Sequence, residues 1–573
     1  MKDAAKDKQA LVVYDNFNFL DTIRDYAMGT KNEMRNLTAS LLIQHPALPR
    51  RGLSQGMHDP TQLLDYKAFM KLPGVKSIDP LIHNQMSNYL IADAIRAAFG
   101  DAIDAIFEGK PGLLPTMPNI QRLEPERTKM FQPGVVFEDE GTIDGTILVH
   151  ENLWLQKFGL SPDNKEGHFK RRLWLVFGDQ KTVAHIRTVK RTLGSSIRDF
   201  DRRDWMIGPC ALFHVLQALL AMMVRTHGQA GPGQHTTATI PHDAARLDRP
   251  FSVGNAKYYQ LEPLIAMGFN ARVLAIWYLC LRDMGVLRTD QGSESTSVKL
   301  SSDMMAQIIK EMTPEQLLQS IDLVRQIAFT FPGWDGNRGK NTPEFTSHCR
   351  YIQEAALFLT LRRAIRVGDV GIIERLFAPL AVRFIGSGQY NYGQEMLQLQ
   401  WLMDKHVCQE PLRRAIMAAS LVNLTGRRDG FKSIDLALEH VNSMYKLDMK
   451  HRKNSTHVFS TFHEVALSSS YATRLRVGLE HAFGVGVNAA HTTRSTHADL
   501  ISLATYFLDK RALCSTSDYG SGQPFESSNI SREGSNKLFG AIDTFNRRVV
   551  RHPLDRATSE QPRDVLDYDT LPP

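Results

Sequence analysis

Cysteine is scarce and scattered. The chain of 573 residues holds five, Cys210, Cys280, Cys349, Cys408 and Cys514, with no C-x-x-C pair among them. That spacing argues against a disulfide-stapled scaffold. It also excludes a visible zinc module, because His348-Cys349 and His406-x-Cys408 have no partner pairs at finger distance. Long uncharged apolar runs are missing too. The most apolar long stretch, Ile207 to Val224, is interrupted by His214 and Gln217, so it reads as a buried helix and no membrane span is expected. Walker A and H-E-x-x-H patterns are absent, which removes support for P-loop and zincin chemistry. No unit of about 20 to 50 residues repeats, so a solenoid or propeller is not expected.

What is present fits a large folded protein. Hydrophobic residues make up 43% and charged residues 23%, inside the globular range. Length gives a prior of roughly two to four domains. Lys and Arg number 68 against 61 Asp and Glu, a net charge of +7 at a pI near 9.0, which permits a polyanionic partner without requiring one. The charged start MKDAAKDKQ has no secretory pattern, and with the free cysteines it predicts an intracellular protein, nuclear or cytoplasmic and not secreted. The sequence does not fix an oligomeric state.

Periodicity predicts an α/β protein with predominantly helical content. A β-branched and aromatic run at 10–20, ALVVYDNFNFL, reads as a buried first strand. Short strands are expected at 134–137 and 146–150, and a clear one at 173–177. The last runs through Gly178-Asp179-Gln180 into a helix over 181–193, a strand-turn-helix unit. Helical spacing fills 60–107 and nearly everything from 205 to 384. It continues at 391–405, 410–424 and 434–446, and a short helix is expected near 538–548 within a polar, partly disordered tail.

Two acids stand out. Asp15 sits inside an apolar strand, where a carboxylate needs a cation, a metal or hydrogen bonds. Its structural alternative is a strand-end Asp bonded to backbone or to an Arg. Asp179 follows a strand, the place where open α/β sheets put functional groups, or it simply caps the next helix. Acids on two adjacent strands can share hard divalent ions, Mg²⁺ or Mn²⁺, and such a two-metal site promotes phosphoryl transfer. A third acid from a helix would be Glu395, or alternatively Glu439; either is equally readable as a solvated helix charge. Asn16, Gln180 and His214 are candidate supporting residues, although a lone His on an apolar helix is more often part of a core. Between Lys165 and Arg203, eleven Lys and Arg stand against four acids, an excess of seven. Lys170, Arg171, Arg172, Lys181, Arg187, Lys190 and Arg191 are the candidates there for holding a nucleic-acid backbone, and a solvated helix face is the plain alternative.

The boxes Y-D-N-F-N at 14–18, G-D-Q-K-T at 178–182, F-H at 213–214, Y-N-Y-x-x-E at 390–395, L-V-N-x-x-G-R at 421–427 and I-D-L-x-x-E-H-x-N at 434–442 run in order over most of the chain. They resemble an uncharacterised domain-of-unknown-function family, abundant in fungi and transposon-associated. The arrangement is similar to transposases with an RNase H-like mixed-sheet core interrupted by a large all-α insertion. The resemblance implies a DDE-type set with Asp15 as the first-strand acid, Asp179 as the acid after the fourth strand and Glu395 after the insertion, and DNA as partner. Residues 1–200 would form the first part of the core, 201–384 the helical insertion, 385–450 the helices completing the site, and 451–573 the tail. Two functions follow: Mg-dependent DNA phosphodiester hydrolysis or strand transfer, active or degenerate, or a catalytically inactive domesticated domain that binds nucleic acid or protein.

Overall fold

The computed structural model describes residues 1–21, 32–77, 79–108, 111–162, 167–229, 237–249, 251–252, 254, 257–287, 302–329, 342–451, 461–469, 475, 496–510, 513 and 525–549. The fold is mostly helical around a small mixed sheet of five strands: β1 (Ala10–Asp21), β2 (Glu33–Gln44), β3 (Lys129–Phe131), β4 (Trp174–Phe177) and β5 (Met206–Ile207). Their spatial order is β3-β2-β1-β4-β5. β2 runs antiparallel to β1 along its whole length, with Ala39 opposite Asp15, and β3 is antiparallel to β2. β4 is parallel to β1, and β5 is parallel to β4. A separate hairpin joins β6 (Leu421–Asn423) to β7 (Phe431–Ser433).

The central strand is buried on both faces, which is why it reads as an unbroken apolar run. Leu11, Val13 and Phe17 face a core shared with the helices, and Val12 and Tyr14 face a second cluster built from Trp154, Phe158, Trp174 and Trp205. The first core is continuous from the sheet through the helices Leu212–His227, Tyr258–Asp283, Pro343–Val367 and Val370–Gly386. Segments beyond residue 451 also pack into it. Phe462 meets Phe17 and Phe19 edge-on, and the helix Ile530–Arg548 lies against Val370–Gly386. That last crossing is glycine-dependent: a Cβ on Gly534 would sit 1.8 Å from the Val382 carbonyl oxygen, and one on Gly386 equally close to that of Ile530.

Two expected strands are absent. Residues 146–150 belong to the helix Ile143–His150, because Thr142 caps its first turn by accepting from the Gly145 N–H at 3.0 Å. At 134–137 only Val136 bridges, to Thr38, after Pro133 and the positive φ of Gly134 interrupt the chain. β2 was not expected, since its first half is polar; it is ordered by pairing with β1. The predicted disordered end falls on residues 550–573, outside the described ones. Among the described residues one helix, Tyr258–Asp283, is long and apolar enough to cross a membrane. Most of it is buried inside the body, so it is a core helix by position, and the apolar stretch singled out in the sequence is the neighbouring helix Leu212–His227.

Candidate functional site

Parallel pairing brings the two aspartates together. Val13 on β1 is in register with Phe177 on β4, and Asp15 and Asp179 each lie two residues further along. Asp15, midway along β1, therefore stands beside Asp179, which lies just past the carboxyl end of β4. Gly178 makes the turn after β4: a Cβ there would come within 2.3 Å of the Thr182 methyl. Asp179 then caps the helix Gln180–Thr192, accepting from the Thr182 N–H at 2.7 Å.

Asp15 belongs to two groups of side chains whose ligand atoms all lie within 4.8 Å of one another. One contains Asp15, Glu140 and Asp179. The other contains Asp15, His214 and Glu439. Glu140, from the connector before the helix Ile143–His150, is fully buried, and both its carboxylate oxygens accept from the Thr182 hydroxyl. Glu439 comes from the helix Ile434–His451, which Tyr445 seats against β1 by an edge contact with Phe17 at 5.9 Å.

His214 is no ordinary core histidine. Asp435 accepts from its Nδ1 at 2.9 Å and from its backbone N–H at 3.1 Å, and it also accepts from the Phe213 N–H. Ser433 accepts from Leu212 and Phe213. Ser433 and Asp435 thus cap the helix Leu212–His227 from outside, pinning it to Ile434–His451. This explains the box I-D-L-x-x-E-H-x-N: Asp435, Glu439 and Asn442 recur at i, i+4 and i+7 and share one helix face. Asn442 Oδ1 and Asn16 Oδ1 are buried acceptors with no hydrogen-bond partner among the described residues.

The electrostatics follow from burial. None of Asp15, Glu140, Asp179 and Glu439 has an Arg or Lys within ion-pair distance among the described residues. Burial first, then the charges of Asp179 and Glu439, push Asp15 up to about 7, against the pull of His214. Burial and the charges of Asp15 and Asp179 push Glu140 well above the usual carboxylate range. Burial pulls His214 down, but the Asp435 bond and charge, with Asp15 and Asp179, carry it up to about 9. A cationic imidazole clamped by Asp435 therefore faces a group of crowded acids. The carboxylates are hard oxygen donors, and they fit Mg²⁺ or Mn²⁺ in chemistry.

Glu395 lies apart from both groups. It is buried on the helix Tyr390–Leu402, and Arg187 grips both its oxygens, Nη1 at 3.0 Å from Oε2 and Nη2 on Oε1. Burial pushes its pKa up against the pull of Arg187. The structure thus gathers Asp15, Asp179, His214 and Glu439, and ties Glu395 to a cation. Glu140 escaped the sequence reading, since no motif marks it.

The basic segment divides. Lys170, Arg171, Lys181 and Arg191 are exposed. Arg172 is a structural residue: it donates to the carbonyls of Ala5, Asp7 and Ala10 and stacks over Trp174 at 3.7 Å, which removes it from the surface. Arg198, Arg202 and Arg203 pair with Asp199 and Asp201, acids already counted within the segment, while Glu395 and Asp204 from outside it pair with Arg187 and Arg202, so the charge excess is smaller in space than in sequence. Lys190 donates to the Met206 carbonyl at 2.7 Å and, with Arg187, Arg191 and Arg548, lines a pocket beside Trp401. Gln180, the first residue of the helix after Asp179, is half-buried. A G-x-S-x-G string does occur at Gly52–Gly56, but Ser54 leads into a 3-10 turn at Gln55–Met57, not from a strand into an α-helix, and so lacks the elbow that chemistry needs.

Among known families, residues 73–493 fit the model of a family of unknown function, DUF6589. The chain belongs to that family. No curated protein and no solved structure matches it. Within this DUF6589 chain, Glu140, Asp179, His214, Glu395, Asp435 and Glu439 fall inside the matched stretch, and Asp15 on β1 lies before it.

Proposed function

We propose that this DUF6589 chain is a divalent-metal-dependent enzyme of phosphodiester hydrolysis or strand transfer on DNA, built on an RNase H-like, transposase-derived core. The observation that carries the reading is Asp15, an acid shared by two close groups and lacking any Arg or Lys partner among the described residues. The mixed sheet supports it: the first-strand acid and the acid after the fourth strand stand on neighbouring parallel strands, where the resemblance to RNase H-like transposases expects them. Asp15, Asp179 and Glu140 would hold one Mg²⁺ or Mn²⁺, and Asp15 with Glu439 a second. Such ions would supply activation of the attacking oxygen and stabilisation of the leaving one.

The protein's own groups do the rest. His214, protonated and held by Asp435, presents Nε2 as a cation beside Asp15 and Glu439, where it can contact a phosphate or give a proton to a departing oxygen. Lys170, Arg171, Lys181 and Arg191 bear on the backbone of the substrate as exposed cations. Glu395, neutralised by Arg187, positions the helix Gln180–Thr192 and hence Asp179.

The test is nicking of supercoiled plasmid DNA by the full chain with Mn²⁺, for wild type, Asp15→Asn, Asp179→Asn, Glu439→Gln and Glu395→Gln. The reading requires nicking by wild type and its loss in Asp15→Asn, Asp179→Asn and Glu439→Gln. Activity that survives Asp15→Asn refutes it. The second reading, an inactive binding domain, is favoured by the use of Asp179 as a helix cap and of Glu395 as an ion-pair partner. It predicts DNA binding with no dependence on divalent ions.

A further inference from the structure

A second cavity lies in the helical body, away from the acid cluster, between the helices Ser87–Ile106, Pro343–Val367 and Val370–Gly386. Its walls are mainly apolar, from Ile82, Leu90, Phe329, Ala356, Leu357 and Pro379. It offers about 80 Å³, several times the roughly 15 Å³ that one water requires. A charged group lines this apolar space. Arg383 is only 8% exposed, and its one hydrogen bond is from Nη1 to the Pro379 carbonyl at 3.2 Å. Nε and Nη2 have no protein partner among the described residues.

The other polar groups of the cavity are already used. Arg375 pairs with Asp79 at 3.2 Å, and Asp79 also caps the Leu81 N–H. Ser87 and Thr360 donate to the carbonyls of Ile82 and Ala356, and Gln353 donates to that of Ala328. His83 bonds the Phe329 carbonyl through Nε2. Glu354 is the carboxylate whose charge bears on Arg383, yet it is outside ion-pair distance and is held by His227 at 2.9 Å. A guanidinium only 8% exposed, with two donors unused by the protein in an apolar pocket, is completed by water or by an anion, and an anion matches its charge as water does not.

We propose that this cavity binds a small organic carboxylate with an apolar body, its two oxygens taken by Arg383 Nε and Nη2 in the fork geometry that guanidinium favours. The charge count selects a monoanion. With Arg375 neutralised by Asp79, one guanidinium remains for the ligand, and no cluster of further donors is available to hold a phosphate dianion. The apolar walls take the rest of the molecule.

The test uses the full chain, with hexanoate as probe and 1-hexanol as its uncharged counterpart, followed by isothermal titration and thermal shift. Hexanoate binds saturably and hexanol at least about tenfold more weakly, the factor expected for hydrogen bonds to a charged group. Arg383→Gln removes that preference. Should Arg383→Gln fail to fold by circular dichroism, Ala356→Phe, which fills the apolar wall and keeps the guanidinium, must weaken hexanoate binding. No saturable hexanoate binding, equal binding of hexanol, or binding that ignores both substitutions overturns the proposal.

Discussion

Replacing Asp15 by asparagine changes one charge without changing shape, and the consequences are calculable. In the folded protein Asp15 is held at about 7 against an ordinary 3.8. The folded state therefore keeps the proton more tightly than the unfolded chain. Its stabilising effect is full below about pH 4 and is lost as pH rises through 7. At about 1.36 kcal/mol per unit the whole loss is up to about 4 kcal/mol, of which roughly 3 falls between pH 5 and pH 8. An unfolding entropy of about 2.1 cal/mol/K per residue converts this into a Tm decrease of about 2 °C for a chain of this length. The carboxamide in Asp15→Asn would carry no charge at any pH and would still accept from the Asn16 N–H, which bonds Asp15 Oδ1 at 2.8 Å. Scanning calorimetry at pH 5 and pH 8, without divalent ions, should show the wild type losing about 2 °C more than Asp15→Asn. Millimolar Mg²⁺ at pH 8 should restore that difference in the wild type and leave the variant unmoved. A variant that loses as much as the wild type, or a Mg²⁺ response equal in both, refutes the account of Asp15 as a buried acid only partly compensated by His214 and open to a divalent ion.

Other substitutions probe separate links. Asp435→Asn removes the acceptor that raises His214, so the imidazole pKa, followed by NMR, should fall from about 9 toward or below its ordinary 6.5; an unchanged titration would mean that Asp15 and Asp179 alone sustain it. Arg187→Met strands the buried Glu395 and should cost about 3–5 kcal/mol in urea unfolding, whereas the double change Arg187→Met with Glu395→Gln should cost much less. Gly178→Ala pushes on Thr182, which anchors both Asp179 and Glu140, and should lower stability by about 1–3 kcal/mol and weaken Mn²⁺ binding measured by electron paramagnetic resonance. Gly534→Ala forces a methyl against the Val382 carbonyl and should destabilise by about 3 kcal/mol in urea unfolding without altering Mn²⁺ affinity.

Much of the framework was legible because local chemistry and tertiary structure agree. β1 is apolar on both faces and is buried on both; the turn after β4 carries Gly and a capping Asp and is a strand-to-helix turn. The helix Ile143–His150 was misread because Thr146, Ile147 and Val149 are β-branched, while its deciding feature is the single cap at Thr142. β2 could not be seen from its polar first half, since its order comes from partners on β1. The same division holds at the site. Asp15 and Asp179 are conspicuous because each breaks a local apolar pattern or follows a strand. Glu140 sits in an irregular connector, and its neighbours Thr182 and Asp15 are 42 and 125 residues distant in sequence, so nothing in its surroundings announces it.

Glu395 and Glu439 show why a helical acid needs its surroundings before it has a role. Both lie on helices within boxes of similar appearance, and the sequence reading puts Glu395 first with Glu439 as its alternative. What separates them is whether a guanidinium already holds both carboxylate oxygens. Arg187, two turns beyond Asp179 on the same helix, reaches Glu395 with both terminal nitrogens, and a carboxylate so held has little affinity left for a metal. Glu439 has the reverse surroundings: Asp15 and an imidazole within ligand distance, and no Arg or Lys at ion-pair distance among the described residues. Burial and like charge hold Asp15 and Glu140 above the usual carboxylate range, a cost that a structure serving stability alone would relieve with one well-placed Arg, as it does at Glu395. An Arg holds Glu395, whereas Asp15, Glu140, Asp179 and Glu439, gathered from four segments, have the His214 imidazolium and no Arg or Lys at ion-pair distance among the described residues, a charge distribution that divalent ions at Asp15 would complete.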